Sequence, residues 1–194
     1  ILPFMLCLSV AFFPNLALSN SPSKTPYQVN IISEALKIPW GMAFLDQKNI
    51  LITERQGTLK LLNRSSGKLH KISGVPPVYN KGQGGLLDVA LPPHFKTGGW
   101  IYFTYSKLIK NAGATTLARA KLKEHTLVDW SDLLVTESVT NTNRHFGSRI
   151  AFDDNSHVFF TVGDRGVRPN GQDLNTHAGS VIRLNLDGSI AGDN

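Results

Sequence analysis

Three successive rounds of short, strand-like segments, spaced by about 50 to 60 residues, restrict what this chain can fold into more than any other feature. The first round reads WGMAFL (40–45), NILITER (49–55) and TLKLLN (58–63). The second reads GLLDVALPP (85–93), WIYFTYS (100–106) and TTLARAKL (115–122), and the third GSRIAFDD (147–154), HVFFTVGD (157–164) and GSVIRLNLDG (179–188). Thr53, Thr104 and Thr161 stand at matching places in the second segment of each round. Gly, Pro, Asn and Asp separate the segments, and no stretch after residue 20 carries a long helical period, so the fold class is all-β. A fourth, outer strand is expected at KLHKIS (68–73) and at DLLVTES (132–138). A small sheet with two apolar faces cannot bury them alone, and units of this size solve the problem by stacking around an axis as propeller blades. Closure takes about four to eight blades. This chain supplies about three, so it reads as part of a longer propeller. A self-contained β-sandwich is the alternative, and it leaves the long loops after Gly82 and Asp164 unexplained.

The first residues differ from the rest. Residues 1–19 hold no charged side chain, are interrupted by Pro14, and end with small residues at Ala17 and Ser19, as before a cleavage point. They read as a secretory signal whose basic n-region is missing, with an uncleaved anchor as the alternative. Residues 20–37 are a polar lead-in, and 38–194 the N-terminal part of the propeller domain, its C-terminal half absent. Cys7, the sole cysteine, lies within the signal, so the exported chain has neither a disulfide framework nor a cysteine metal site. A periplasmic or secreted protein follows, with no stable membrane span once the signal is cleaved. The net charge of +6 comes from scattered residues and not from a basic run, which argues against a nucleic-acid partner. His94, His125, His157 and His177 lack ligand-like spacing, so no metal site is expected within these residues.

Chemistry concentrates in three loops. NKGQGGLLD places Gln83 between glycines before the inner strand of round two. NRHFGSRI places His145 and Arg149 before the inner strand of round three, and VGDRGVRP places Asp164 and Arg165 after the strand that follows. Glycine beside a polar side chain permits positive φ and close approach of a ligand to the backbone. In a propeller such loops gather at one mouth of the channel, where an imidazole can serve as a proton acceptor. Each residue also has a purely structural reading. Gln83 would bridge loop carbonyls, Asp164 would close an Asx-type turn, and Arg149 would pair with a buried carboxylate.

IPWGMAFL with LITERQGTLKLL, then GQGGLLDVALPPHF, HFGSRIAF with FFTVGDRG, and QDLNTHAGSVIRLNLDGSI, in that order, resemble the periplasmic quinoprotein sugar dehydrogenases. These are the soluble glucose dehydrogenase and aldose sugar dehydrogenase family, which uses pyrroloquinoline quinone (PQQ) and calcium. The resemblance spans residues 38–194 and implies a six-bladed β-propeller. It implies oxidation of an aldose at the anomeric carbon to a lactone. His145 would take the hydroxyl proton while hydride passes to the C5 carbon of the quinone, and an external acceptor would later remove the electrons. It also implies that Gln83 lines the sugar pocket and that Asp164 stands behind His145; Arg149, from its place in the strand, is expected to give structural support. Soluble glucose dehydrogenases carry an aspartate just before the histidine where Arg144 stands here, which favours the broader aldose branch. The groups that hold the quinone and its calcium belong mostly to later blades, beyond Asn194, so this chain alone is expected to be inactive. A non-catalytic extracellular propeller used for binding is the alternative function, and a lyase-like or lactonase propeller with a central metal is a weaker one, disfavoured by the lack of clustered carboxylates.

Overall fold

The computed structural model describes residues 27–154, 156–192 and 194. The expected signal at 1–19 and the beginning of the lead-in lie outside the described residues. The chain divides into a unit of residues 1–30, of which 27–30 are described as irregular and exposed, and a compact unit of residues 31–194.

The larger unit is three antiparallel sheets in chain order. The first comprises β1 (Pro39–Phe44), β2 (Asn49–Glu54), β3 (Thr58–Asn63) and β4 (Leu69–Ile72), paired in the order β1-β2-β3-β4. The second comprises β5 (Leu86–Ala90), β6 (Trp100–Ile109), β7 (Ala112–Lys123) and β8 (Thr126–Val135), paired β5-β6-β7-β8. The third comprises β9 (Ile150–Phe152), β10 (His157–Thr161) and β11 (Val181–Asn185), paired β9-β10-β11. Each sheet is an up-and-down meander of the kind a propeller blade requires. A short 3-10 turn, Arg168–Gln172, interrupts the loop between β10 and β11.

The strand boundaries follow the sequence repeat except in the second blade. There β6 and β7 pair without a break from Trp100↔Lys121 to Ile109↔Ala112, so the hairpin runs past the expected end at Ser106. The outer strand β8 begins at Thr126, ahead of the expected start at Asp132. Leu108 near the hairpin tip is exposed and β8 is an outer strand, so these extensions show no regular apolar alternation.

Blade stacking explains why β6 reads as a continuous apolar run. Ile101, Phe103 and Tyr105 point toward the first blade and share a core with Leu51, Leu59 and Ile72. Tyr102, on the opposite face, joins Leu117 in a second core with Ile150, Val158, Phe160 and Leu184 of the third blade. A strand buried on both faces loses the alternation of a half-exposed one.

The matched threonines fasten the inner edges. Thr53 Oγ1 accepts the Gly41 N–H at 2.9 Å within its own blade and donates to the Leu87 carbonyl of the next. Thr104 Oγ1 repeats this, accepting the Asp88 N–H at 3.1 Å and donating to the Ser148 carbonyl at 2.7 Å. Thr161 Oγ1 accepts the Arg149 N–H at 3.1 Å. The hydroxyl thus satisfies a donor of its own inner strand while stapling the following blade, which brings the loops ahead of β5 and β9 together.

Candidate active site

Three loops meet in front of β5 and β9: residues 80–85, residues 136–149 and the turn after β10 that begins at Val162. Gln83 donates its backbone N–H to the Asn143 carbonyl at 2.8 Å, and its side-chain Oε1 accepts the His145 N–H at 2.7 Å. Tyr79 donates its hydroxyl to Asn143 Oδ1 at 2.6 Å. Two glycines make the approach possible: a Cβ on Gly82 would overlap the Asn143 carbonyl oxygen, and one on Gly163 the His145 carbonyl oxygen. His145, Ser148 and Arg165 all adopt positive φ, at 56°, 104° and 56°. Such conformations are costly for residues with a side chain and persist only where the surroundings hold them.

The holding is done largely by Arg165, whose side chain is fully buried and pairs with no carboxylate among the described residues. Its Nη1 donates to the carbonyls of Gly113 at 2.7 Å and Ser138 at 2.6 Å, its Nη2 to Thr142 at 3.0 Å, and its Nε to Arg144 at 3.1 Å. The guanidinium lies 3.7 Å from the centroid of Phe146, a buried ring that packs with Tyr79 and Leu87. Burial lowers its pKa to about 10, which leaves it charged at neutral pH. Its own carbonyl accepts the hydroxyls of Thr140 and Thr142. One side chain therefore ties the His145 loop to the β6–β7 hairpin.

On that platform His145 Nδ1 and Asp164 Oδ1 stand 2.7 Å apart. Asp164 Oδ1 also accepts the Gly166 N–H at 2.8 Å, so Asp164 closes a turn and holds the imidazole with the same oxygen. The hydrogen bond from His145, reinforced by that from Gly166, holds the Asp164 carboxyl below the ordinary range. A carboxylate facing Nδ1 selects the tautomer with the proton there and leaves the Nε2 lone pair free. The His145 side chain is 48% exposed and accessible to a ligand.

The structure brings Gln83, His145 and Asp164 into one hydrogen-bonded group. Arg149 stands aside from it. Its Nη1 lies 3.0 Å from Asp88 Oδ1, a buried carboxylate whose other oxygen accepts the Ile150 N–H at 2.8 Å, and its side chain is 71% exposed. Burial raises the Asp88 pKa against the hydrogen bond from Ile150 and the charge of Arg149. Sequence reasoning gave no role to Asp88, Tyr79, Asn143 or Arg165, because their partners are mostly backbone groups on remote segments. Among the described residues no group of three His, Cys, Asp or Glu side chains is arranged to hold a metal ion. No helix among them is long and apolar enough to cross a membrane.

Comparison with known proteins bears on this geometry. A family model described as glucose/sorbosone dehydrogenase matches residues 36–194. The aldose sugar dehydrogenase YliI of Escherichia coli K12 is 34% identical over 187 residues, covering 93% of this chain and 50% of that protein. Quinoprotein glucose dehydrogenase B of Acinetobacter calcoaceticus is 27% identical over 198 residues, covering 87% of this chain and 41% of that protein. The crystal structure of the soluble aldose sugar dehydrogenase of E. coli in its apo-form superposes with a TM-score of 0.80 at 34% identity, covering 85% of this chain and 49% of that one. The chain spans about half the length of the curated relatives it matches. With three meandering blades and a family match over residues 36–194, this chain belongs to the glucose/sorbosone dehydrogenase family and carries three blades of its β-propeller fold.

Proposed function

We propose that these residues form the sugar-binding and proton-accepting part of a PQQ-dependent aldose dehydrogenase, with His145 as the base. The observation that carries the reading is the 2.7 Å contact between His145 Nδ1 and Asp164 Oδ1, made on a loop whose backbone Gln83 clamps. Oxidation at an anomeric carbon removes a hydride from carbon and a proton from the attached hydroxyl. The C–O double bond of the lactone forms as both leave. His145 Nε2 accepts the hydroxyl proton, and Asp164 stabilises the imidazolium that results. The side-chain amide N–H groups of Gln83, whose carbonyl oxygen is already used, orient the sugar through its hydroxyls. No protein side chain accepts a hydride, so the donor set fits the sugar side of a cofactor site, and bound PQQ supplies the two-electron acceptor. Groups that seat PQQ and calcium come mostly from residues after Asn194. In the same reading residues 1–19 are a secretion signal and the protein acts in the periplasm or outside the cell, passing electrons to an external acceptor.

The test uses the full reading frame that contains these residues. Apo-protein reconstituted with PQQ and calcium should reduce a dye when given aldoses, and His145→Ala should cost about a hundredfold to ten-thousandfold in kcat. PQQ binding should survive the substitution. Unchanged turnover would remove His145 from its role, and a wild-type protein that neither binds PQQ nor oxidises sugars would point to a binding propeller.

A further inference from the structure

We infer that the substrate of this site carries an anionic group and that Arg144 is the side chain that recognises it. The inference rests on the sugar-oxidising reading of the site. Each of the three loops that meet here carries one exposed cation near its key residue: Lys81 before Gln83, Arg144 before His145 and Arg168 after Asp164. None of the three forms an ion pair among the described residues.

Arg144 is the best placed. A Cβ added to Gly166 would stand 2.6 Å from Arg144 Nε, so the guanidinium lies against the turn that holds Asp164. Its charge adds to the influences that keep the Asp164 carboxyl ionised. The other arginines close to the site already have partners. Arg149 is paired with Asp88, and Arg165 spends its donors on four backbone carbonyls. The Arg144 side chain donates no hydrogen bond among the described residues, and only its carbonyl is used, as acceptor for Arg165 Nε. Asp164 acts on it through its charge, while the hydrogen bonds of that carboxylate go to His145 and Gly166. A planar fork of donors is thus held beside the base with no hydrogen-bond acceptor among the described residues. Its complement is a carboxylate or phosphate, taken through two parallel charge-assisted hydrogen bonds. Lys81 and Arg168 add a field of the same sign that draws an anion toward the mouth. The substrate class is an aldose bearing a carboxylate or phosphate, and the bond broken is still the anomeric C–H, with the proton passing to His145.

The test compares D-glucuronate, D-glucose 6-phosphate and D-glucose as substrates of the full-length protein loaded with PQQ and calcium. Because the Arg144 side chain makes no hydrogen bond or ion pair among the described residues, Arg144→Gln and Arg144→Lys should fold normally. The wild type should show a higher kcat/KM for one anionic sugar than for glucose, and which one it is separates carboxylate from phosphate. Arg144→Gln should lower that ratio by about tenfold or more, the size of a lost hydrogen bond to a charged group. Lysine should restore part of it, and added salt should compress it. Normal turnover with a preference for glucose, or a ratio indifferent to Arg144→Gln, overturns the inference and leaves the oxidoreductase reading standing. A ratio that holds while PQQ binding to the apo-protein weakens, followed by fluorescence titration, assigns Arg144 to the cofactor's carboxylates and also overturns it. If none of the three sugars is oxidised, the oxidoreductase reading fails and the inference with it.

Discussion

The proposed base role of His145 requires one ring nitrogen to hold the proton, and Asp164 faces Nδ1 with an oxygen already anchored by Gly166. Asp164→Asn keeps the size and loses the charge, and it should lower kcat of the loaded enzyme by about tenfold to a hundredfold, less than His145→Ala. The sign of its pH dependence follows from a folded-state pKa below the usual aspartate value of 3.8. The stabilisation it gives is present above that value and lost as pH falls through the lower, folded one. The difference in unfolding free energy between wild type and Asp164→Asn should therefore be flat at neutral pH and shrink only in strong acid. Arg165 makes a separate demand on stability. Arg165→Met would leave the carbonyls of Gly113, Ser138, Thr142 and Arg144 without their donor, at about 1–3 kcal/mol for each that water cannot reach. Urea titration should show a loss of at least about 2 kcal/mol. At this scale the sequence offered His145, Gln83 and Asp164, since their residue types and glycine neighbours advertise them. Arg165 was visible only as a neighbour of Asp164, because all four of its acceptors are carbonyls, which every residue possesses.

Strands in this molecule are joined across blades by side chains more than by main-chain ladders. Thr104 is buried, accepts the Asp88 N–H and donates to the Ser148 carbonyl. Thr104→Val preserves shape and strands both partners, so it should destabilise by about 1–3 kcal/mol, while Thr104→Ser should recover most of the loss. Chemical denaturation of the two variants checks the pair. Asp88, at the same joint, has its carboxyl raised by burial. The folded state then holds its proton more tightly than the unfolded one, so ionisation costs stability as pH rises from about 4 through the folded pKa. The unfolding free energy of wild type minus that of Asp88→Asn should fall over that interval, opposite in direction to the Asp164 effect. Most strands were legible from alternation and turn residues, and the matched threonines were legible as a repeat. Why they match was not legible, since a hydroxyl's second partner lies in another blade.

Over the whole molecule, the outer blades differ from the central one. The first presents Trp40, Met42 and Phe44 as exposed apolar side chains along β1, and the third presents Val181 on β11 and Ile190 just after it. The second blade is packed on both sides. In the longer protein, amide hydrogen exchange in β1 and β11 should be slower than in residues 31–194 prepared alone, whereas β6 should be protected in both. Equal exchange at the edges would argue against further blades covering them. The sequence by itself determined the fold class, the number of rounds and three of the residues that meet at the site, because period-two burial and turn chemistry are local properties read over a few residues. Only the tertiary structure decided that Gln83 holds a backbone N–H of the His145 loop, that one buried arginine supports that loop, and that Arg149 belongs to Asp88 while the Arg144 side chain makes no hydrogen bond or ion pair among the described residues. The Arg149–Asp88 and Gln83–His145 pairings join residues separated by 61 and 62 positions in the chain, and distance along a chain says nothing about which donor meets which acceptor until the blades have stacked.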